Sequence, residues 1–185
     1  MKIQILQENL SKALNTASRS VSTRAQLPVL SNFLLKTEEG RLKVIATNLE
    51  TAVCVFVGAK IDKEGEITIP AKVLTEIVTS LSLGKVDLEV ETTALEIKTD
   101  YYQAKVNGIP ASEFPALPEY EKDKLFPIPN EILSQIVGEV AFAAATDEGR
   151  PTLTGVLVTS EDNKLSMVAT DGYRLSIKTV ELTRW

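Results

Sequence analysis

Residues 166–175 read SMVATDGYRL, and residues 43–50 read KVIATNLE. A shift of 123 residues, which places Leu30 on Leu153, aligns residues 8–55 with the later part of the chain without a gap. Over this span apolar positions meet apolar positions, and turn residues meet turn residues. A repeat this long indicates one folding unit used twice, because solenoid repeats are only about 20–45 residues long. We therefore expect one complete domain followed by the first part of a second copy.

The composition is that of an ordinary globular protein, with 185 residues, 44% of them hydrophobic and 24% charged. This length is enough for one full hydrophobic core and part of another. The longest uncharged apolar run, residues 52–59, is far shorter than the roughly 20 residues that a membrane helix needs. The first ten residues lack the apolar core and the cleavage site of a signal peptide. We therefore expect a folded cytoplasmic protein without a membrane partner.

The residues that are rare or missing exclude several classes of chemistry. Cys54 is the single cysteine and lies in an apolar run, so we expect a small buried hydrophobic residue rather than a disulfide or zinc ligand. The absence of histidine excludes Ser-His-Asp and Cys-His catalysis and removes the commonest transition-metal ligand. The net charge of −5 argues against a surface that binds nucleic acid everywhere, but a local basic face is compatible with it.

Hydrophobic spacing predicts the elements of the first copy. Asn9 is expected to cap a helix whose apolar stripe extends to Val21. Pro70 is expected to be the first residue of a second helix that reaches Leu81. Strand-length apolar runs separated by short turns lie at residues 2–7, 30–36, 42–47, 51–60, 67–69, 86–90, 95–99 and 102–106. These patterns predict an α+β fold with two helices on one face of antiparallel sheet.

The second copy is predicted to be incomplete. Asn130 is expected to cap a helix that reaches about Ala144. Three strands are expected to follow, at residues 152–160, 164–170 and 174–181. Because nothing in the chain matches residues 62–106, the second copy should have an unpaired sheet edge and an uncovered helix face. The predicted organisation is a first domain at residues 1–118, a linker at 119–129 that is rich in proline and charge, and half of a second domain at 130–185.

One face of the first predicted helix is positively charged. No acidic residue occurs between Asn9 and Ala25, although the chain is acidic overall. Lys12 and Arg19 lie on the side opposite the apolar stripe, and Arg24 follows in the next loop. Taken alone, this segment fits two interpretations equally well. It could be a basic face with a binding function, or it could be a solvated helix surface that happens to lack acidic residues.

Several runs of sequence resemble those of one bacterial family. They are LPVLSNFLL, GRLKVIATNLE, IPAKVL, IPASEFPALP, GRPTLTGVLV and KLSMVATDGYRLS, of which the last two together are the most distinctive. The family is the bacterial DNA polymerase III beta subunit, the replicative sliding clamp, and the resemblance extends over all 185 residues. It implies a DNA-clamp fold of three repeated domains per subunit, each with two helices packed on antiparallel sheets, of which the third domain is absent here. It also implies a processivity factor, in which two subunits close head to tail around duplex DNA and tether the polymerase.

The resemblance also implies roles for individual residues. DNA contacts are implied for Lys12, Arg19, Arg24 and Lys72. A pocket for short apolar motifs of partner proteins is implied for Arg150, Leu153, Thr170, Gly172, Tyr173, Arg174 and Leu175. Contacts with a neighbouring subunit are implied for Tyr101, Gln103, Ala104 and Val106. The implied partners are double-stranded DNA, the replicative DNA polymerase catalytic subunit, the clamp loader, and repair polymerases and other proteins with clamp-binding motifs. Such a clamp is not an enzyme and needs neither a metal nor a cofactor.

The helix predicted in the second copy lacks the basic residues that the resemblance implies for a surface facing DNA. Residues 130–144 include Glu131 and Glu139 but no lysine or arginine, and the repeat partner of Arg24 is Asp147. We therefore do not expect strong DNA contact from the second domain.

Two other classes of function stay open on the residues alone. Asp147, Glu148 and Asp171 could be magnesium ligands of a phosphoryl-transfer enzyme, although they lie in predicted turns and no phosphate-binding glycine loop accompanies them. The chain could instead be a peptide-binding module that uses Arg150 and residues 170–175 without encircling DNA. The helix face that lacks acidic residues favours the clamp over such a module.

Overall fold

The computed structural model describes residues 1–22, 27–117, 128–147 and 149–182. The chain divides into two compact units, Met1–Pro118 and Glu119–Trp185. No helix in these described ranges is long and apolar enough to cross a membrane.

The described part of the first unit contains nine strands and two α-helices. Their bounds are β1 Lys2–Leu6, α1 Gln7–Ala17, β2 Asn32–Glu38, β3 Arg41–Thr47, β4 Ala52–Gly58, β5 Lys60–Lys63, β6 Glu66–Pro70, α2 Ala71–Ser80, β7 Lys85–Glu91, β8 Ala94–Lys98 and β9 Gln103–Asn107. The strands form a five-stranded sheet in the order β5-β1-β7-β8-β9 and a four-stranded sheet in the order β4-β3-β2-β6. Neighbouring strands are antiparallel in both sheets, so the predicted α+β class is confirmed.

The two helices pack side by side over a single core formed with both sheets. Leu10 and Leu14 of α1 are fully buried there, which confirms the apolar stripe predicted for that helix from helical spacing. On α2, Leu74 is fully buried, whereas the neighbouring Val73 is 42% exposed. Burial of such side chains is the main stabilising contribution to the unit, at roughly 1.5–3 kcal/mol for each large apolar side chain.

The second unit contains one α-helix and three strands among its described residues. They are α3 Asn130–Val140, β10 Leu157–Glu161, β11 Lys164–Thr170 and β12 Leu175–Glu181, with the sheet order β10-β11-β12. Helix α3 packs on β11 and β12, and this unit has its own small core around Ile136, Val140, Leu165 and Met167.

The predicted repeat is present in the structure. Helices α1 and α3, strands β3 and β11, and strands β4 and β12 have bounds that differ by the same 123 residues. In the first unit β2 is paired on its other side with β6, whereas the described residues provide no such strand beside β10. Leu157 and Val158 of β10 are exposed, as expected for an unpaired sheet edge.

The start of α1 differs from the prediction. The helix begins at Gln7 without a side-chain cap, so Asn9 lies inside it. The Gln7 backbone N–H donates to the Gly84 carbonyl at 2.8 Å, and the buried Gln7 Nε2 donates to the Val78 carbonyl at 2.8 Å. A distant loop therefore accepts one of the four N–H groups that the start of a helix leaves without an intrahelical partner.

The other helix boundaries are corrected as well. Pro70 precedes α2 at the N-cap position instead of being its first residue, and Asn130 is the first residue of α3 instead of its cap. Both α1 and α3 end earlier than predicted, because the next three residues, Ser18–Ser20 and Ala141–Ala143, form single 3₁₀ turns. A further 3₁₀ turn, Pro151–Leu153, occupies the start of the strand predicted at residues 152–160.

The strand predicted at residues 51–60 is two strands in two different sheets. β4 is an edge strand of the four-stranded sheet, and β5 is an edge strand of the five-stranded sheet. The chain changes sheets at Ala59, between the last residue of β4 and the first of β5.

Cys54 is exposed on β4, so the expectation of a buried thiol is wrong. Successive residues of a strand point to opposite faces of the sheet. Val55 and Val57 face the core beside α1, whereas Cys54 and Phe56 face outward.

Candidate partner-binding and DNA-facing surfaces

A tight loop joins β11 to β12 and contains most of the residues predicted to form a partner pocket. Thr170 Oγ1 donates to the Arg174 carbonyl at 2.7 Å and accepts from the Gly172 N–H at 3.1 Å. Asp171 Oδ1 accepts from the N–H groups of Tyr173 and Arg174, both at 2.9 Å. Asp171 Oδ2 accepts from Arg174 Nε at 2.9 Å. The loop is therefore held by two of its own side chains.

These donors also affect the ionisation of Asp171. The Arg174 and Tyr173 backbone N–H groups, followed by the Arg174 side chain, hold the pKa of the carboxyl group below its ordinary value. Asp171 is therefore a carboxylate at neutral pH, with both oxygens bonded to its own loop.

Arg150 reaches this loop from the preceding turn. Its Nη2 donates to the Asp171 carbonyl at 3.1 Å. Gly172 has a positive φ of 91°, and a Cβ built there would lie 2.9 Å from Arg150 Nη1. Gly172 therefore meets two requirements, a left-handed backbone and space for the guanidinium.

Gly172→Ala should lower the free energy of unfolding of the second unit by about 1–3 kcal/mol, because the backbone conformation is strained for any residue with a Cβ. The new methyl group should also displace Arg150 and break its hydrogen bond to Asp171. Urea denaturation and amide exchange of the loop measure both effects. Gly155→Ala is the matched control, because a Cβ there meets nothing closer than the Thr152 carbonyl at 4.0 Å. Equal stability of the two variants would contradict the role assigned to Gly172.

Apolar and aromatic side chains are exposed around the loop. Tyr173 is 95% exposed and Leu175 is 61% exposed, while Leu153 is half-buried at the end of the turn that follows Arg150. Phe142, which was not predicted as a member of this surface, is 60% exposed, and its ring centroid lies 5.7 Å from Arg174 Cζ. The only feature of the sequence that could have identified Phe142 is that it is an aromatic residue just after the predicted apolar stripe of α3. This combination of exposed apolar groups and arginines suits an apolar peptide with free carbonyl groups.

The predicted DNA-contact residues lie on the helices of the first unit. Lys12 on α1, Arg19 in the following turn and Lys72 on α2 are all exposed. Lys12 is on the side of α1 opposite its buried residues, and Arg19 is exposed in the 3₁₀ turn Ser18–Ser20 that follows the helix. Lys72 lies 4.0 Å from Glu76, which reduces its contribution to the local positive field. Arg24 lies outside the described residues.

The exposed side of α3 is acidic, whereas α1 has one exposed acid, Glu8, and one exposed base, Lys12. Because α1 begins at Gln7 rather than after Asn9, the helix face that was predicted to lack acidic residues lacks them only beyond its first turn. Glu131 and Glu139 are exposed, and helix α3 contains no lysine or arginine. Lys178 of β12 forms an ion pair with Glu139 at 2.6 Å. The hydrogen bond that Lys178 donates within this ion pair, together with a second from Gln135 Nε2, lowers the pKa of Glu139. The sequence-based expectation that this helix would not be basic is consistent with its surface.

Strand β9 carries the residues predicted to contact a neighbouring subunit. It is an edge strand, and among the described residues only β8 pairs with it. Ala104 and Val106 are half-buried, Gln103 is exposed with its Nε2 2.6 Å from Glu96 Oε1, and Tyr101 just before the strand is fully exposed. The open edge has backbone groups available to pair with a strand of another chain.

The proposed magnesium ligands do not form a cluster in the described part of the chain. No group of three or more acidic or cysteine side chains is arranged there to hold a metal ion. Asp147 Oδ1 accepts from the Gly149 N–H at 3.0 Å, and Asp171 is engaged with its own loop. Glu148 lies outside the described residues.

Comparison with known proteins gives one consistent result. The sequence model of the DNA polymerase III beta subunit N-terminal domain matches residues 1–118, and the model of the central domain matches residues 127–184. The beta sliding clamp of Synechocystis sp. is 33% identical over 186 residues, which cover 96% of this chain and 48% of the relative.

Solved structures agree with the sequence matches. The sliding clamp of Pseudomonas aeruginosa, solved with griselimycin bound, is 32% identical with a TM-score of 0.92 over 99% of this chain and 50% of that one. The beta sliding clamp of C. crescentus is also 32% identical, with a TM-score of 0.92 over 100% of this chain and 51% of that one. The chain spans about half the length of these relatives. With two successive domains of the family matched along its length, this chain belongs to the DNA polymerase III beta subunit family, the beta sliding clamps.

Proposed function

We propose that this chain supplies the first half of a processivity factor that encircles duplex DNA and tethers a replicative DNA polymerase. The observation that carries the proposal is the match of two consecutive clamp domains to residues 1–118 and 127–184. In the proposed organisation, residues 1–118 are the first clamp domain, residues 119–129 are a linker, and residues 130–185 begin the second domain.

The charge distribution supports a topological way of holding DNA. A ring needs few phosphate contacts, because the closed protein cannot dissociate sideways from the duplex. A net charge of −5 disfavours binding of DNA on the outer surface. The exposed Lys12 and Arg19 would attract the phosphate backbone only at the helix surface that faces the opening. Bound in this way, a clamp can slide while it keeps the polymerase near the primer end.

The surfaces of the two units support distinct partner contacts. The surface around Arg150 and residues 170–175 would bind short apolar motifs of the polymerase, the clamp loader and repair polymerases. The open edge of β9 would pair with a second subunit in a head-to-tail homodimer of the complete protein. The clamp itself would be non-catalytic and would act in the cytoplasm, where bacterial DNA is replicated.

A plasmid experiment tests encirclement directly. The complete gene product is loaded by its clamp loader onto a nicked circular plasmid, which is then cut once with a restriction enzyme. A ring should remain on the circle and slide off the linear DNA unless both ends are blocked. Retention on unblocked linear DNA would refute a topological mode. Parallel gel filtration of bound and free protein gives the retained fraction.

A peptide-binding module without DNA encirclement is the second candidate, because the exposed loop and the exposed Tyr173 and Leu175 by themselves would support one. Such a module would bind partner peptides normally but would show no retention on the circular plasmid. A phosphoryl-transfer enzyme is disfavoured, because both carboxylate oxygens of Asp171 already accept hydrogen bonds from the loop.

A further inference from the structure

We propose that Asp171 is a positioning residue, whose carboxylate fixes the loop that presents Tyr173, Arg174 and Leu175 to a partner peptide. The inference rests on the proposed use of this loop as a peptide pocket. It goes beyond that proposal because Asp171 is assigned no contact with the peptide and acts only through its neighbours.

The loop depends on Asp171 because Thr170 binds the Gly172 N–H and the Arg174 carbonyl, whereas the N–H groups of Tyr173 and Arg174 donate to Asp171. Tyr173 is almost entirely exposed, so packing does not hold its backbone in place. The N–H groups of Tyr173 and Arg174 both point to Asp171 Oδ1. Without this acceptor, the two N–H groups would donate hydrogen bonds to water instead, and the loop residues that line the proposed pocket would lose their fixed geometry.

The first copy of the repeat provides an internal comparison. A shift of 123 residues places Asn48 on Asp171. Asn48 Oδ1 accepts from the N–H groups of Glu50 at 3.0 Å and Thr51 at 2.7 Å, the same two positions that Asp171 binds in the second copy. Thr47 Oγ1 also accepts from the Leu49 N–H at 3.1 Å, as Thr170 does from Gly172. One neutral amide oxygen is therefore enough to form this loop.

The aspartate uses a second oxygen to hold the side chain three residues further on. Asp171 Oδ2 accepts from Arg174 Nε, whereas in the first copy the hydroxyl of the equivalent residue, Thr51, donates at 3.1 Å to Asn48 Oδ1, the same oxygen that holds the backbone. This ion pair directs Arg174 over the ring of Phe142. The two carboxylate oxygens thus have separate roles. Oδ1 accepts the hydrogen bonds of the loop backbone, and Oδ2 orients the Arg174 side chain.

Two substitutions separate these tasks. In Asp171→Asn, the amide oxygen should keep the backbone bonds, as Asn48 does, and only the orientation of Arg174 should be lost. In Asp171→Ala both contacts are lost. The probe is a fluorescein-labelled peptide that carries the clamp-binding motif of the replicative polymerase from the same organism. We expect its dissociation constant to rise about tenfold or more for Asp171→Ala and by a smaller factor for Asp171→Asn.

Amide exchange gives a readout that does not depend on the peptide. The Tyr173 and Arg174 amides should be protected in the parent and in Asp171→Asn but should exchange rapidly in Asp171→Ala. Thermal unfolding establishes that each variant is folded at the temperature used. Glu161→Ala is the matched control, because Glu161 is an exposed acid at the opposite end of the same sheet.

The outcomes distinguish this inference from the proposed function. Unchanged affinity and unchanged amide protection in Asp171→Ala would overturn the positioning role. Loss of protection in Asp171→Ala but not in Asp171→Asn supports that role, even if the parent protein fails to bind the peptide. A parent that does not bind the peptide would instead refute the proposed pocket. Equal loss of protection in both variants would overturn the assignment of the backbone contact to a single oxygen.

Discussion

Reversing Lys12, Arg19 and Lys72 to glutamate should weaken binding of the complete gene product to duplex DNA by on the order of 100-fold or more at low salt. The three side chains are exposed on the helices of the first unit, so their replacement should not disturb the core. Each lost phosphate contact should lower the slope of log K against log salt by about one, which gives a total change of about three. Fluorescence anisotropy with a labelled duplex across a salt series measures both quantities.

The control reverses three lysines on the outer face of the five-stranded sheet. Lys2, Lys60 and Lys85 are exposed there, and the change in net charge is the same. The control variant should keep most of its DNA affinity, and both variants should bind the polymerase peptide as the parent does. Equal weakening by the two triple variants would show that total charge matters rather than its position, and the proposed DNA-facing surface would then be wrong.

Phe33→Ala should lower the free energy of unfolding of the first unit by about 3–5 kcal/mol, because it empties a large volume from a close-packed core. Phe33 is fully buried on β2, in the core cluster that also contains residues of α1 and α2. Since typical domains are stable by only about 5–15 kcal/mol, this loss is a large part of the total. Urea denaturation followed by hydrogen exchange of peptides from α1 and β2 measures it.

Phe56→Ala is the matched control on the outer face of the same sheet. Phe56 is 45% exposed and lies beside Arg41, with the Arg41 Cζ atom 4.7 Å from its ring centroid. Its loss should cost about 1 kcal/mol or less, through a weak exposed cation–π contact and a little packing. A loss of stability below 1 kcal/mol for Phe33→Ala would contradict the packing described for this core.

The parts of the fold that were predictable are those encoded locally. The apolar stripe of α1 depends on residues close in sequence, and side-chain burial follows their periodicity. The repeat was predictable because the local pattern of residues 8–55 recurs at a shift of 123 residues. Asp171 could also have been identified, because aspartate and asparagine at the same position of two copies indicate a shared turn.

The features that were not predictable depend on residues far apart in the chain. The start of α1 depends on the carbonyl of Gly84 and the contact between Gln7 and Val78, which no local pattern reveals. The exposure of Cys54 depends on which face of β4 meets α1, and an apolar run does not specify that face. The contact between Arg150 and the Asp171 carbonyl similarly joins residues that are 21 positions apart.

The change of sheet at Ala59 has a mechanical consequence for the first unit. One short run of backbone forms an outer strand in each sheet, so the sheets are joined covalently along that border by a single residue. Tension applied to either strand would pass directly to the other. We expect the amides of β4 and β5 to open together as one cooperative group, even though the two strands share no hydrogen-bonded ladder.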